Sequence, residues 1–153
     1  MTIDDILAPA DVIHGLRASD KTVLLGDLAK RAAQLLDLDA GAVFGALVRR
    51  EDLGSTGVGD GVALPHARLE MVRKPFGLLA RLRDPIDFDA VDERPVDLVF
   101  LLLLPTDEAG QHLNALACVA RKLRNPDTAV ALRRARDAAG LYALVSAQSL
   151  SEV

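Results

Sequence analysis

Nine residues, Val96–Leu104, contain one polar side chain, Asp97, and stop at Pro105. The wholly apolar part of that run, residues 98–104, is far shorter than the roughly 20 residues that cross a bilayer. A short apolar stretch of this kind is what a central strand requires when both of its faces are covered. The rest of the chain must therefore supply a layer on each side of a sheet. Proline at the end marks where the strand stops, because it has no N–H to give to a ladder.

The flanking sequence supplies those layers as helices that alternate with strands. Val12–Leu16 reads as a first strand. Ser19 then reads as an N-cap with Asp20 in the first turn, opening an amphipathic helix to Leu36 marked by Leu24, Leu25, Leu28 and Leu35. Asp39 caps a second helix that buries Val43, Phe44, Leu47 and Val48, with Arg49 and Arg50 complementing the dipole in its last turn. Residues 62–64 and 76–82 read as strands, and residues 85–92, punctuated by proline and aspartate, as a turn or edge segment. A helix over 109–123 follows the apolar strand, Asn125-Pro126 starts a short one, and a last one covers 137–147. Such alternation predicts an α/β fold with helices on both faces of a central sheet.

With 153 residues and no linker-like segment, a single domain over 1–153 is expected. The net charge of −4 and five scattered aromatics argue against nucleic acid, which demands basic surface and stacking platforms. One cysteine, Cys118, excludes an internal disulfide, suits a reducing compartment and reads as a small buried thiol. The N-terminus carries acids where a signal peptide needs positive charge, so a soluble, cytoplasmic protein without membrane insertion is expected.

The chemistry concentrates in residues 54–68. A loop with glycine at 54, 57, 59 and 61 leads through Val62-Ala63-Leu64 to Pro65 and His66. Glycines let the backbone approach a ligand and turn several N–H groups toward an anion. An imidazole with its ordinary pKa of about 6.5 is roughly three quarters neutral at pH 7 and attacks phosphorus without a separate base. His66 is thus a candidate phosphoryl acceptor, the alternative being a strand-end histidine satisfied by a backbone carbonyl. His112 opens the helix after the apolar strand, where the dipole keeps an imidazole neutral and unpaired N–H groups favour phosphate. It equally fits a polar tip on the stripe of Leu116, Val119 and Leu123. Arg50 offers a guanidinium fork for phosphoryl oxygens, or simply a solvated dipole partner. Ser55 and Thr56 are candidate phosphate-binding hydroxyls, although hydroxyls in turns also bond their own backbone. His14 has no supporting motif and reads as structural. No His-x-x-x-His or Cys-x-x-Cys spacing marks a metal site, and no Gly-Lys-Ser/Thr completes a Walker loop, so no cofactor is expected.

The run Gly54-Ser55-Thr56-Gly57-Val58-Gly59-Asp60-Gly61-Val62-Ala63-Leu64-Pro65-His66 resembles the active-site signature of type-2 EIIA domains of the phosphoenolpyruvate-dependent phosphotransferase system. Further resemblance lies in Pro85-Ile86-Asp87-Phe88-Asp89-Ala90, Pro95-Val96-Asp97-Leu98-Val99-Phe100 and Gln111-His112-Leu113, and it extends over roughly residues 3–145. It implies a three-layer α/β/α sandwich around a mixed sheet. It also implies that His66 takes a phosphoryl group from an HPr-type carrier on Nε2, with His112 and Arg50 stabilising the phosphoryl oxygens. Ala67 departs from the glycine that relatives often place after the active histidine. The glycine run and the Phe88-Asp89-Ala90-Val91-Asp92 stretch are most similar to the nitrogen regulatory branch. That branch implies regulated protein targets, such as potassium-transport or kinase proteins. A detached fructose- or mannitol-type EIIA feeding an EIIB domain is the alternative, and a binding module without phosphotransfer is a third.

Overall fold

A computed structural model describes residues 1–106 and 109–146, and the side chains of residues 109–112 lie outside the described set. The elements are β1 (Val12–Leu16), α1 (Lys21–Leu36), α2 (Ala40–Asp52), β2 (Gly57–Gly59), β3 (Val62–Ala63), β4 (His66–Arg68), β5 (Phe76–Ile86), β6 (Val96–Leu104), α3 (Ala109–Arg124), α4 (Pro126–Arg134) and α5 (Ala138–Ser146). Single turns of 3-10 helix at Ile3–Asp5 and Pro9–Asp11 precede β1. The apolar strand expected at the centre is there: the sheet runs β1-β5-β6-β3-β2, with β4 also paired to β6. β5 is antiparallel to β6 and β2 to β3, whereas β1 runs parallel to β5, and β3 and β4 parallel to β6. The sheet is mixed.

Strand alternation divides the core in two. Val99, Leu101 and Leu103 of β6 join Leu24, Leu28, Val43 and Leu47 from α1 and α2. Leu98, Phe100, Leu102 and Leu104 join Val119, Leu123, Leu132, Leu141 and Val145 from α3, α4 and α5. All seven residues from Leu98 to Leu104 are fully buried, which explains why the strand tolerates almost no polar side chain. Cys118 is half-buried against the second core, and burial raises its thiol pKa. His14 Nε2 meets the Ala135 carbonyl at 2.8 Å, a tie between β1 and the end of α4.

Several boundaries differ from the sequence reading. The first cap is Asp20, not Ser19: its carboxylate accepts from Val23 N–H at 2.8 Å, and Lys21 is the first helical residue. β5 continues through Pro85 to pair Ile86 with Val96. Its register breaks between Arg81 and Ile86, so Pro85 stands where no ladder donor is needed. The last helix starts one residue later than read, behind Asp137, and its expected end at Ala147 lies outside the described residues. Asp39 and Asn125 cap as expected, Asn125 accepting from both Asp127 and Thr128 N–H groups. Asn125→Ala should therefore cost about 1 kcal/mol. A thermal melt should register it as a loss of roughly 2–4 °C.

Candidate functional site

The glycine-rich segment is a β-hairpin. Gly59 pairs with Val62 across a two-residue turn, and Asp60 and Gly61 have φ of +57° and +79°. A pair of left-handed residues is the requirement of a type I′ turn, which Asp-Gly meets best. Thr56 N–H bonds Glu51, Gly57 N–H bonds Ser55 Oγ, and Asp60 N–H bonds Asp92. The expected anion cradle thus loses the amides of Thr56, Gly57 and Asp60, which are already bonded to Glu51, Ser55 and Asp92.

The hairpin feeds a straight rail. Val62 and Ala63 oppose Leu98 and Val99, and His66, Ala67 and Arg68 oppose Leu102, Leu103 and Leu104 at the same offset. Pro65 interrupts the assignment without shifting the register, and its carbonyl accepts from Leu102 N–H at 2.9 Å. His66 consequently stands within a continuous edge segment, not beyond the strand's end. Alternation puts it on the face shared by Val62 and Leu64, which α3 covers. Its Nδ1 lies 2.9 Å from the Leu64 carbonyl. A carbonyl only accepts, so Nδ1 carries the proton and Nε2 the lone pair of the neutral ring. The backbone bond that the bland reading required is present, and it selects the nucleophilic tautomer.

His66 opens onto a cleft of about 650 Å³ between the end of α2 and the first turns of α3. Arg49, Arg50 and Arg68 line it, and no Asp or Glu does among the described residues. Leu53 and Leu113 stand at it, 85% and 61% exposed. On a chain of net charge −4, this is a concentration of positive charge suited to an anion. Arg50 donates from Nη1 to the Gly54 carbonyl at 2.7 Å. His112 falls in the first turn of α3, and its side chain lies outside the described residues.

Ser55 and Thr56 do not line the cleft. Ser55 Oγ donates to the Phe88 carbonyl at 2.8 Å and accepts from Gly57 N–H at 3.0 Å. Thr56, 3% exposed, donates its hydroxyl to Glu51. Both hydroxyls are committed to holding the segment between α2 and β2.

Residues 5–148 match the family model described as phosphoenolpyruvate-dependent sugar phosphotransferase system, EIIA 2. The chain belongs to this EIIA family. A nitrogen regulatory protein of Bradyrhizobium diazoefficiens is 47% identical over 146 residues, 95% of each chain. A fructose-specific EIIA component of the phosphotransferase system in Haloferax volcanii is 41% identical, over 66% of this chain and 64% of its own. Among solved structures, the nitrogen regulatory protein IIA-Ntr of Neisseria meningitidis superposes with a TM-score of 0.88 at 34% identity, covering 94% of this chain and 98% of that one. EIIA proteins of this family are phosphoryl carriers.

What the sequence reading of this EIIA chain missed is the support behind Arg50. Glu51 follows it in the last turn of α2, 5% exposed, with Lys21 Nζ at 2.6 Å. Lys21 lies over the Phe88 ring, 4.8 Å from its centroid. One signal was available: an acid in the last turn of a helix opposes the macrodipole and calls for a cation from elsewhere. The added arginines, Arg49 and Arg68, carried no signal, because a charged side chain at a helix end or on an exposed strand is ordinary.

Proposed function

We propose that His66 is the phosphoryl acceptor of this EIIA protein, charged by an HPr-type phosphocarrier protein. The observation that supports the reading is the single cleft that combines the Nδ1–H tautomer of His66 with three arginines and, among the described residues, no carboxylate. The Nε2 lone pair forms the new N–P bond as the carrier's own N–P bond breaks. The electron pair of the broken bond returns to the carrier's ring. His66 gains positive charge as it gives up its lone pair, and the Leu64 carbonyl, already bonded to Nδ1–H, stabilises it there. Arg50 meets the phosphoryl oxygens with a charge-assisted hydrogen bond, and His112 donates a further one from the start of α3.

In this reading phosphorylation is the signal. Close to two negative charges added at His66 cancel most of the positive field of the cleft, so a protein partner meets a different surface in each state. The extensive similarity to nitrogen regulatory proteins supports regulation of target proteins as the output. The fructose-specific relative supports a second reading, transfer onward to a sugar-transport EIIB domain. Incubation with phosphoenolpyruvate, enzyme I and an HPr-type carrier should add one acid-labile phosphate, seen by intact mass. An unlabelled protein sinks the assignment. Addition of a fructose-type EIIB domain should leave the label in place, and rapid draining would establish the second reading instead.

A further inference from the structure

Three segments meet behind the phosphoryl cleft. Glu51 Oε1 accepts from Thr56 N–H at 3.0 Å and from the Thr56 hydroxyl, while Oε2 holds Lys21 at the start of α1. Lys21 in turn covers Phe88, whose carbonyl receives Ser55 Oγ. Residues 55–57 are thus fastened on one side to α2 through Glu51 and on the other to the segment after β5. Gly57 is pressed so closely on Ala90 that an added Cβ would lie 2.8 Å from the Ala90 Cβ. Its carbonyl accepts from Val91 N–H at 3.2 Å, closing the same joint.

Arg50 lies at the front of this joint. Successive helical residues are turned by about 100°, so a fixed Glu51 on one side of α2 fixes the direction from which Arg50 leaves the other. The Arg50 guanidinium is docked on the carbonyl of Gly54, which lies between the Glu51 anchor and the Thr56 tether. Gly54 has a φ of +149°, a backbone conformation open to glycine and strained for other residues. Stability alone does not account for the device. A buried acid at a helix C-terminus opposes the dipole, and replacing a buried ion pair by apolar residues of similar size often costs little folding energy. What an ion pair with two added hydrogen bonds supplies is a defined geometry.

We propose that Lys21, Glu51 and Thr56 form a positioning triad that holds Arg50 toward the phosphoryl group on His66, an inference that rests on the His66 reading above. The triad touches neither phosphate nor partner. It acts by keeping the last turn of α2 from fraying and the Gly54 carbonyl in place. Thr56→Val keeps the shape and the main-chain bond but deletes the hydroxyl, and Thr56→Ser restores it.

Single-turnover transfer from a phosphorylated HPr-type carrier reads the effect. Thr56→Val should slow the saturating rate roughly tenfold, in line with small misplacements of a catalytic group. The carrier concentration giving half that rate should barely change, and Thr56→Ser should recover the rate. In an Arg50→Ala background Thr56→Val should have no further effect, because the group it positions is gone. Equal slowing in both backgrounds, or a change in half-saturation alone, overturns the proposal. A second measurement is independent of phosphorylation: Thr56→Val should shift and broaden the Arg50 side-chain N–H resonance in NMR. An unchanged resonance rejects the triad even if His66 is phosphorylated normally. An unlabelled wild type rejects the His66 reading and, with it, the catalytic purpose assigned to the triad.

Discussion

His66→Ala is expected to abolish phosphoryl labelling while the protein stays folded. The substitution removes the imidazole whose lone pair is aligned through the Nδ1–H bond to the Leu64 carbonyl. Among the described residues that line the cleft, Arg49, Arg50 and Arg68 offer no lone pair that could attack in its place. The bond to the Leu64 carbonyl, made from a half-buried side chain, is worth about 1 kcal/mol, too little by itself to unfold the protein. Arg50→Ala should behave differently. It leaves the nucleophile intact and removes one charged donor, so a slowing of roughly 10²–10³-fold is expected instead of complete loss. Intact mass after incubation with the phosphorylated carrier separates the two. Undiminished acid-labile phosphate on His66→Ala would move the acceptor elsewhere, and a melt far below wild type would show that the ring is structural.

The elements read correctly from sequence are those determined by their own neighbours. Val96–Leu104 could only be a strand dry on both faces, and the structure buries Leu98 through Leu104 completely. Asp39 and Asn125 cap their helices because a cap is a contact over two or three residues. The errors arise where one local pattern has two physical uses. Positive-φ glycines serve an anion nest and a type I′ hairpin alike, and only the pairing of Gly59 with Val62 decides between them. Pro85 reads as a breaker until a register break elsewhere in the ladder makes room for it. Pro65 and the glycine run single out His66 in the sequence, and the structure places it at a cleft with Arg49, Arg50 and Arg68. The link from Glu51 through Lys21 to Phe88 was not legible, since it joins residues far apart in sequence that share no periodicity.

Glu51→Ala should be the most destabilising single change near the site. Breaking a buried ion pair by removing one partner commonly costs 3–5 kcal/mol, because the remaining charge has lost its counter-ion in a dry place. Here the lower end applies. Lys21 is 19% exposed and has Asp89 at 3.8 Å, so part of its charge finds water or a second carboxylate. Thr56 loses the acceptor of both its N–H and its hydroxyl, and it is 3% exposed, which adds to the penalty. A loss of about 3 kcal/mol corresponds to a melting temperature lower by roughly 6–12 °C for a chain of this size. A melt within about 2 °C of wild type would show that the pair is solvated and that Glu51 anchors nothing. The double variant Lys21→Met/Glu51→Leu sharpens the point. With both charges gone and apolar stems packed beneath Phe88, much of the lost stability should return. The transfer rate should not return with it, because neither replacement accepts the bonds that hold Thr56 and, through Gly54, the guanidinium of Arg50. A recovered fold with a slow transfer separates what the ion pair does for stability from what it does for geometry.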